Sequence, residues 1–267
     1  MMNNKKGVAH FLVVFAVLIV AGIVYFLYLP KTKIITEKII PFPTPYQFPY
    51  KNPVISKNRS YRIVIVGDSI VNSLGLNANA LRLNLIKLYP DSEFVTYNYG
   101  YPSTNVLSLY QRLTDEILKQ GFELIIIESF GYNPLSEYPL TEGLKKQNEE
   151  LERSVREILR QKPNASLAFM TPIAPDPVNF AKGTRDLTLE VRKSWVDERI
   201  AYINNHKSFA EEKGIPVIDV YSASLKPDGE VNRIYISNDY IHPSKAGIEL
   251  ISKTIADYIF NNKIFPQ

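Results

Sequence analysis

Four short segments carry side chains able to perform acyl transfer. Gly67-Asp68-Ser69-Ile70 places a hydroxyl directly after an apolar run, and Asp239-Tyr240-Ile241-His242-Pro243 places an aspartate three residues before a histidine. A serine hydroxyl is a weak nucleophile until a neighbouring base takes its proton. His242 can be that base, and Asp239 can hold its ring and stabilise the imidazolium. On a turn, a spacing of three lets both side chains point the same way, and Pro243 suits the first position of a following helix, where no N–H is needed. The attacked carbonyl becomes an oxyanion and requires donors placed in advance. The backbone N–H groups of Ser69 and Gly100 and the side-chain amide of Asn133, in Gly131-Tyr132-Asn133, can supply three. A glycine at position 100 also lets the backbone approach a ligand closely.

Each residue alone has a plainer reading. Ser69 and Asn133 are turn formers, Gly100 a strand end, His242 a capping residue. Their joint occurrence, in order along the chain, carries the argument. Other chemistries find little support. The chain has no cysteine, which removes disulfides, thiolate nucleophiles and thiolate metal sites. Its only histidines are His10, His206 and His242, so a three-histidine metal site would need all of them. His206 sits in the polar stretch Asn204-Asn205-His206-Lys207 and reads as a surface residue. There is no Gly-x-Ser-x-Gly elbow, no Gly-Lys-Ser/Thr phosphate loop and no His-Glu-x-x-His. Catalysis without a metal or other cofactor is therefore expected.

The elements that must position these residues alternate in type. Apolar, β-branched runs at Arg62–Val66, Glu93–Asn98, Leu124–Ile127, Ala165–Met170 and Pro216–Val220 read as strands. Between them lie helical stripes such as Leu81/Leu85/Leu88 and Val106/Leu109/Leu113/Ile117, then charged helices over 141–162 and 188–213. A last helix runs from Pro243 to about Phe260. This pattern predicts an α/β domain, a five-stranded parallel sheet with helices on both faces, over residues 60–267. In such sheets ligands bind beyond the C-terminal strand ends, which is where the four segments fall.

The rest of the chain reads as tail, anchor and spacer. Phe11–Leu29 is free of charge and proline and, as a helix, matches the ~30 Å hydrocarbon core. It ends in bulky residues where a signal peptidase needs small ones, so an uncleaved transmembrane signal anchor over 11–29 is expected after a tail at 1–10. The lysine pair Lys5-Lys6 suggests N-inside topology, a single-pass membrane protein with its domain outside the cytoplasm. Residues 30–59 hold Pro41, Pro43, Pro45, Pro49 and Pro53 and read as an extended spacer whose aromatics could instead pack on the domain. Residues 1–59 contain eight Lys/Arg and one Glu, a net of +7, whereas the remainder holds 23 Lys/Arg and 26 Asp/Glu, a net of −3. The domain lacks the basic footprint of a nucleic-acid binder.

Together, Gly67-Asp68-Ser69-Ile70, Gly100, Gly131-x-Asn133 and Asp239-x-x-His242-Pro243-Ser244 resemble the four blocks of the SGNH/GDSL hydrolases, over residues 61–262. The resemblance implies a three-layer flavodoxin-like fold, a Ser69–His242–Asp239 triad, an oxyanion hole of Ser69, Gly100 and Asn133, and no metal. It departs from the pattern at Pro134, where many members have Asp, and at Glu128-Ser129. The function it implies is a serine esterase or deacylase acting on an ester of a glycan, sugar or lipid. The same residues would also serve an acyltransferase with a sugar hydroxyl as acceptor, and the fold alone could serve a non-catalytic binding module. Acyl chain, alcohol and oligomeric state are not encoded in these motifs.

Overall fold

A computed structural model describes residues 48–267. The expected anchor at 11–29, the tail before it and most of the Pro-rich spacer lie outside the described residues. Among those described, no helix is long and apolar enough to cross a membrane.

Five strands form one parallel sheet in the order β2-β1-β3-β4-β5: β1 Ser60–Gly67, β2 Glu93–Gly100, β3 Leu124–Glu128, β4 Ser166–Met170 and β5 Val217–Ile218. Every strand is followed by helical structure, because a parallel crossover must return over a face of the sheet. The helices are α1 Ser69–Asn72, α2 Asn79–Leu88, α3 Leu109–Asp115, α4 Leu140–Gln161, α5 Leu189–Lys213, α6 Val220–Ala223 and α7 Lys245–Asn261.

The central strands β1, β3 and β4 are buried on both faces, and their alternate residues feed two cores. Ile63, Ile65, Leu124, Ile126, Ala168 and Met170 pack with Leu81 and Leu85 of α2 and Ile251, Ile255 and Ile259 of α7. Val64, Val66, Ile125, Ile127, Leu167 and Phe169 pack with Leu109 and Leu113 of α3, Leu151 and Val155 of α4 and Phe209 of α5. This is the three-layer arrangement expected from the sequence. The strand order reverses between β1 and β3, the switch point beyond whose strand ends sheets of this kind bind ligands.

Three sequence readings need correction. His206 is fully buried, its ring stacked on Phe169 at 4.2 Å between centroids. The polar residues around it occupy the other faces of a helix packed on the sheet. The last helix begins at Lys245, not Pro243: Ser244 is its N-cap, its hydroxyl accepting from the Gly247 N–H at 3.1 Å, and Pro243 pairs in a short bridge with Ile236. β5 spans only two residues, because Asp219 leaves the strand to cap α6 and accepts from the Ser222 N–H.

Residues 48–59, read as spacer, lie on the domain. The Tyr50 hydroxyl and Asn52 Oδ1 both accept from the Leu167 N–H, at 2.9 and 3.3 Å, and the Tyr50 N–H donates to the Lys213 carbonyl at 2.7 Å. Because β5 is short, this part of β4 would otherwise show an open edge. Ile55 is buried in the first core.

Candidate active site

β1 and β2 end side by side at Gly67 and Gly100. Both glycines are required by packing. A Cβ at Gly67 would strike Val71 and Glu128, and one at Gly100 would strike the backbone of Asn72. Helix α1 thus lies directly over the strand ends, with Ser69 as its first residue, half-buried. Asp68 caps it, Oδ1 accepting from the Ile70 N–H at 2.8 Å. The Ser69 N–H has no helical partner at this position.

Arg112 of α3 fixes this corner from behind. Its guanidinium donates to the Gly67 carbonyl at 3.3 Å and to the Tyr99 carbonyl, and lies 4.1 Å from the Tyr101 ring centroid. It is a positioning residue with no sequence motif to mark it.

Asp239 and His242 meet as the spacing suggests. Asp239 Oδ1 accepts from the Ile241 and His242 N–H groups, at 2.9 and 3.0 Å, and from the Ser237 hydroxyl at 2.5 Å. Oδ2 remains for the imidazole, with Nδ1 at 2.7 Å. Burial would raise the Asp239 pKa, but the bonds from Ser237, His242 and Ile241 outweigh it and hold the carboxyl well below its usual range. An ionised Asp239 fixes the proton of neutral His242 on Nδ1, leaving Nε2 as the acceptor. The His242 side chain is 37% exposed, so the ring is open to a ligand.

Asn133 Nδ2 donates to Asp68 Oδ2 at 2.8 Å, joining the loop after β3 to the Ser69 turn. A primary amide has a second N–H to give. Burial pushes Asp68 up to about 6, against the bonds from Ile70 and Asn133 and the nearby charges of His242 and Arg199. Glu128, at the end of β3, is also fully buried. Its oxygens accept from the Ser129 hydroxyl at 2.7 Å and the Phe130 N–H at 2.9 Å, while burial and then the charge of Asp68 drive its pKa up. Glu128 thus faces the capping acid across the switch point and holds the turn of the Asn133 loop.

Gly100 differs from expectation. Its N–H donates to Asn98 Oδ1 at 2.8 Å, and the Tyr101 N–H donates to the Gly67 carbonyl. Among the described residues, the Ser103 N–H is the one amide between Gly100 and Thr104 left without a partner, Pro102 having none. Ser103 has φ of 60°, in the left-handed region. Phe130 and Tyr240, on the other two site loops, share this conformation at 55° and 57°. Each strains a non-glycine residue to aim the loop, a pattern common at functional sites. No sequence signal separates Ser103 from an ordinary turn serine.

No protein-family model matches the chain, and no curated protein matches its sequence. Solved structures do match. A lipase/acylhydrolase from Enterococcus faecalis is 21% identical with a TM-score of 0.56, over 76% of this chain and 96% of its own. A catalytic mutant of an acetylxylan esterase from Geobacillus stearothermophilus is 20% identical at 0.53, over 74% and 94%. An alpha/beta hydrolase enzyme from the metagenome of Lake Arreo, Spain, is 18% identical at 0.54, over 75% and 96%. The chain shares their three-layer fold.

Proposed function

We propose that this protein is a serine ester hydrolase. The observation that carries the reading is the Asp239–His242 pair, held at 2.7 Å on a clasped turn with its ring accessible, on the same sheet end as the capped Ser69 turn. Ser69 attacks the ester carbonyl as His242 Nε2 takes its proton. The tetrahedral intermediate collapses when His242 returns that proton to the departing alcohol, leaving an acyl-enzyme. Water, deprotonated by the same histidine, then releases the acid. The oxyanion accepts from the Ser69 N–H and the second N–H of Asn133. We assign the third donor to Ser103 rather than Gly100, because the Gly100 N–H is engaged by Asn98. The similarity to an acylhydrolase and an acetylxylan esterase supports an ester, and acylated glycans fall within that class.

The proposal includes a setting. The charge-free run Phe11–Leu29 would anchor the chain in a bilayer with the domain outside. Fractionation should place the full chain in membranes, and protease added to intact cells should reach the domain; a protected domain contradicts this topology. For the chemistry, Ser69→Ala should abolish hydrolysis of p-nitrophenyl acetate and leave the circular dichroism spectrum unchanged. Retained turnover removes Ser69 as nucleophile.

A further inference from the structure

The reading as an ester hydrolase leaves open which esters. Helix α5 packs through Ile203 against Gly131 of the Asn133 loop, and Arg199 lies on it with its guanidinium 4.7 Å from the Phe180 ring centroid and 5.4 Å from that of Trp195. Two contacts place this cluster at the catalytic loops. Phe180 packs 6.0 Å from Tyr132, the neighbour of Asn133. The next residue, Ala181, donates its N–H to the carbonyl of Tyr240, between Asp239 and His242. The charge of Arg199 also reaches Asp68.

A guanidinium has five N–H donors. Arg199 uses one, from Nη1 to the Trp195 carbonyl of its own helix at 2.9 Å. Its Nε is buried without a partner, and among the described residues no carboxylate oxygen lies within 4.0 Å of it. Neighbouring Glu198 accepts from the Ser136 hydroxyl and, like Asp68, acts on Arg199 through its charge without contacting the guanidinium. Two other arginines near these loops are committed: Arg112 to the Gly67 and Tyr99 carbonyls, and Arg233 to Asp176 at 3.2 Å. A half-buried cation with an unused fork is costly unless something pairs with it. Aromatic faces hold the fork flat, and its geometry matches a planar carboxylate or a phosphate.

We propose that Arg199 is a specificity-determining residue that binds an anionic oxygen group, carboxylate or phosphate, on the substrate, so that the enzyme prefers acidic esters over neutral ones of the same size. The proposal rests on the site being an ester hydrolase. It leaves the anion free to sit on either side of the scissile bond, and the test separates the two.

The test uses full-length protein in detergent. One pair of substrates, mono-p-nitrophenyl adipate and p-nitrophenyl hexanoate, carries the charge on the acyl side. A second, para-acetoxybenzoate and phenyl acetate, carries it on the alcohol side. The wild type should favour the anionic member of at least one pair by about tenfold in kcat/KM, the scale of a charge-assisted hydrogen bond. Arg199→Gln should bring that ratio close to one, Arg199→Lys should keep part of it, and added salt should lower it in the wild type. A purely structural Arg199 would lower all four rates together and leave the ratios unchanged. Equal ratios in wild type and Arg199→Gln, or no preference in either pair, overturn the proposal. In the Ser69→Ala background, Arg199-dependent binding of the anionic esters, followed by calorimetry, provides a readout independent of turnover. If that binding is present while the wild type hydrolyses no ester, the esterase reading fails and the Arg199 site stands.

Discussion

Asp239 binds the backbone of its own turn with one carboxylate oxygen and the imidazole with the other. In the proposed mechanism the second bond selects the tautomer of His242. Asp239→Asn should leave the fold intact and lower kcat by about 10³–10⁴-fold, the scale seen when a serine triad loses its carboxylate; an unchanged kcat would remove Asp239 from the mechanism. The Asp239–His242 pair was legible in the sequence because its geometry is local: two residues three apart on one turn. His206 shows the opposite case. Its neighbours are polar and its burial depends on packing against Phe169, a residue 37 positions away in the chain, so sequence context pointed to the surface. Burial lowers its pKa from 6.5 to about 3. The unfolded chain therefore binds a proton below pH 6.5 that the folded chain refuses until about pH 3, so this group costs stability as pH falls. Asp68, raised to about 6, works the other way: its contribution is full at low pH and is lost as pH rises from about 3.8 to about 6. The His206 effect is isolated by comparison. Between pH 7 and pH 5, the stability of His206→Phe relative to the wild type should rise by about 2 kcal/mol in chemical denaturation. A pH-independent difference would contradict a neutral buried imidazole.

At the scale of elements, the site is a set of strand ends and the loops that leave them. The alternating strand and helix pattern made the sheet and its two faces legible, because the central strands are buried on both sides and helices such as α2 and α3 carry an apolar stripe. The fine positioning was not. Gly100 looks like a backbone donor in sequence, yet its lack of a side chain is used for the close passage of α1, and its N–H is taken by Asn98. Arg112 holds two strand ends through carbonyl oxygens, contacts that depend on backbone direction rather than residue type. The start of α7 was misplaced by two residues because Pro243 and Ser244 are both good helix openers, and the bridge between Ile236 and Pro243 decides between them. Ser244 caps the helix that follows His242. Ser244→Ala should cost about 1 kcal/mol of stability and lower kcat more than it changes KM, because the cap governs the turn that aims the imidazole. A stability loss with unchanged kcat would uncouple the cap from the site.

At the scale of the whole molecule, the described chain joins the domain before β1. The chain from Phe48 to Ile55 covers the exposed part of β4 and meets the end of α5, at the sheet end opposite the site. Its proline alternation reads as a linker in sequence, and only the short β5, ended by the Asp219 cap, creates the edge it covers. A chain starting at residue 60 should be less stable than one starting at 48 by about 3 kcal/mol, from the lost Tyr50 bond and the uncovering of Ile55. Equal denaturation midpoints would show this segment to be dispensable. The central claim is that Ser69 is a nucleophile activated by His242. Its most direct test is treatment of the full-length protein with a fluorophosphonate ester, followed by peptide mass spectrometry. The account predicts one phosphonyl adduct per chain, on Ser69, and its loss in His242→Ala. An adduct confined to another residue, or labelling of Ser69 that persists without His242, would contradict it.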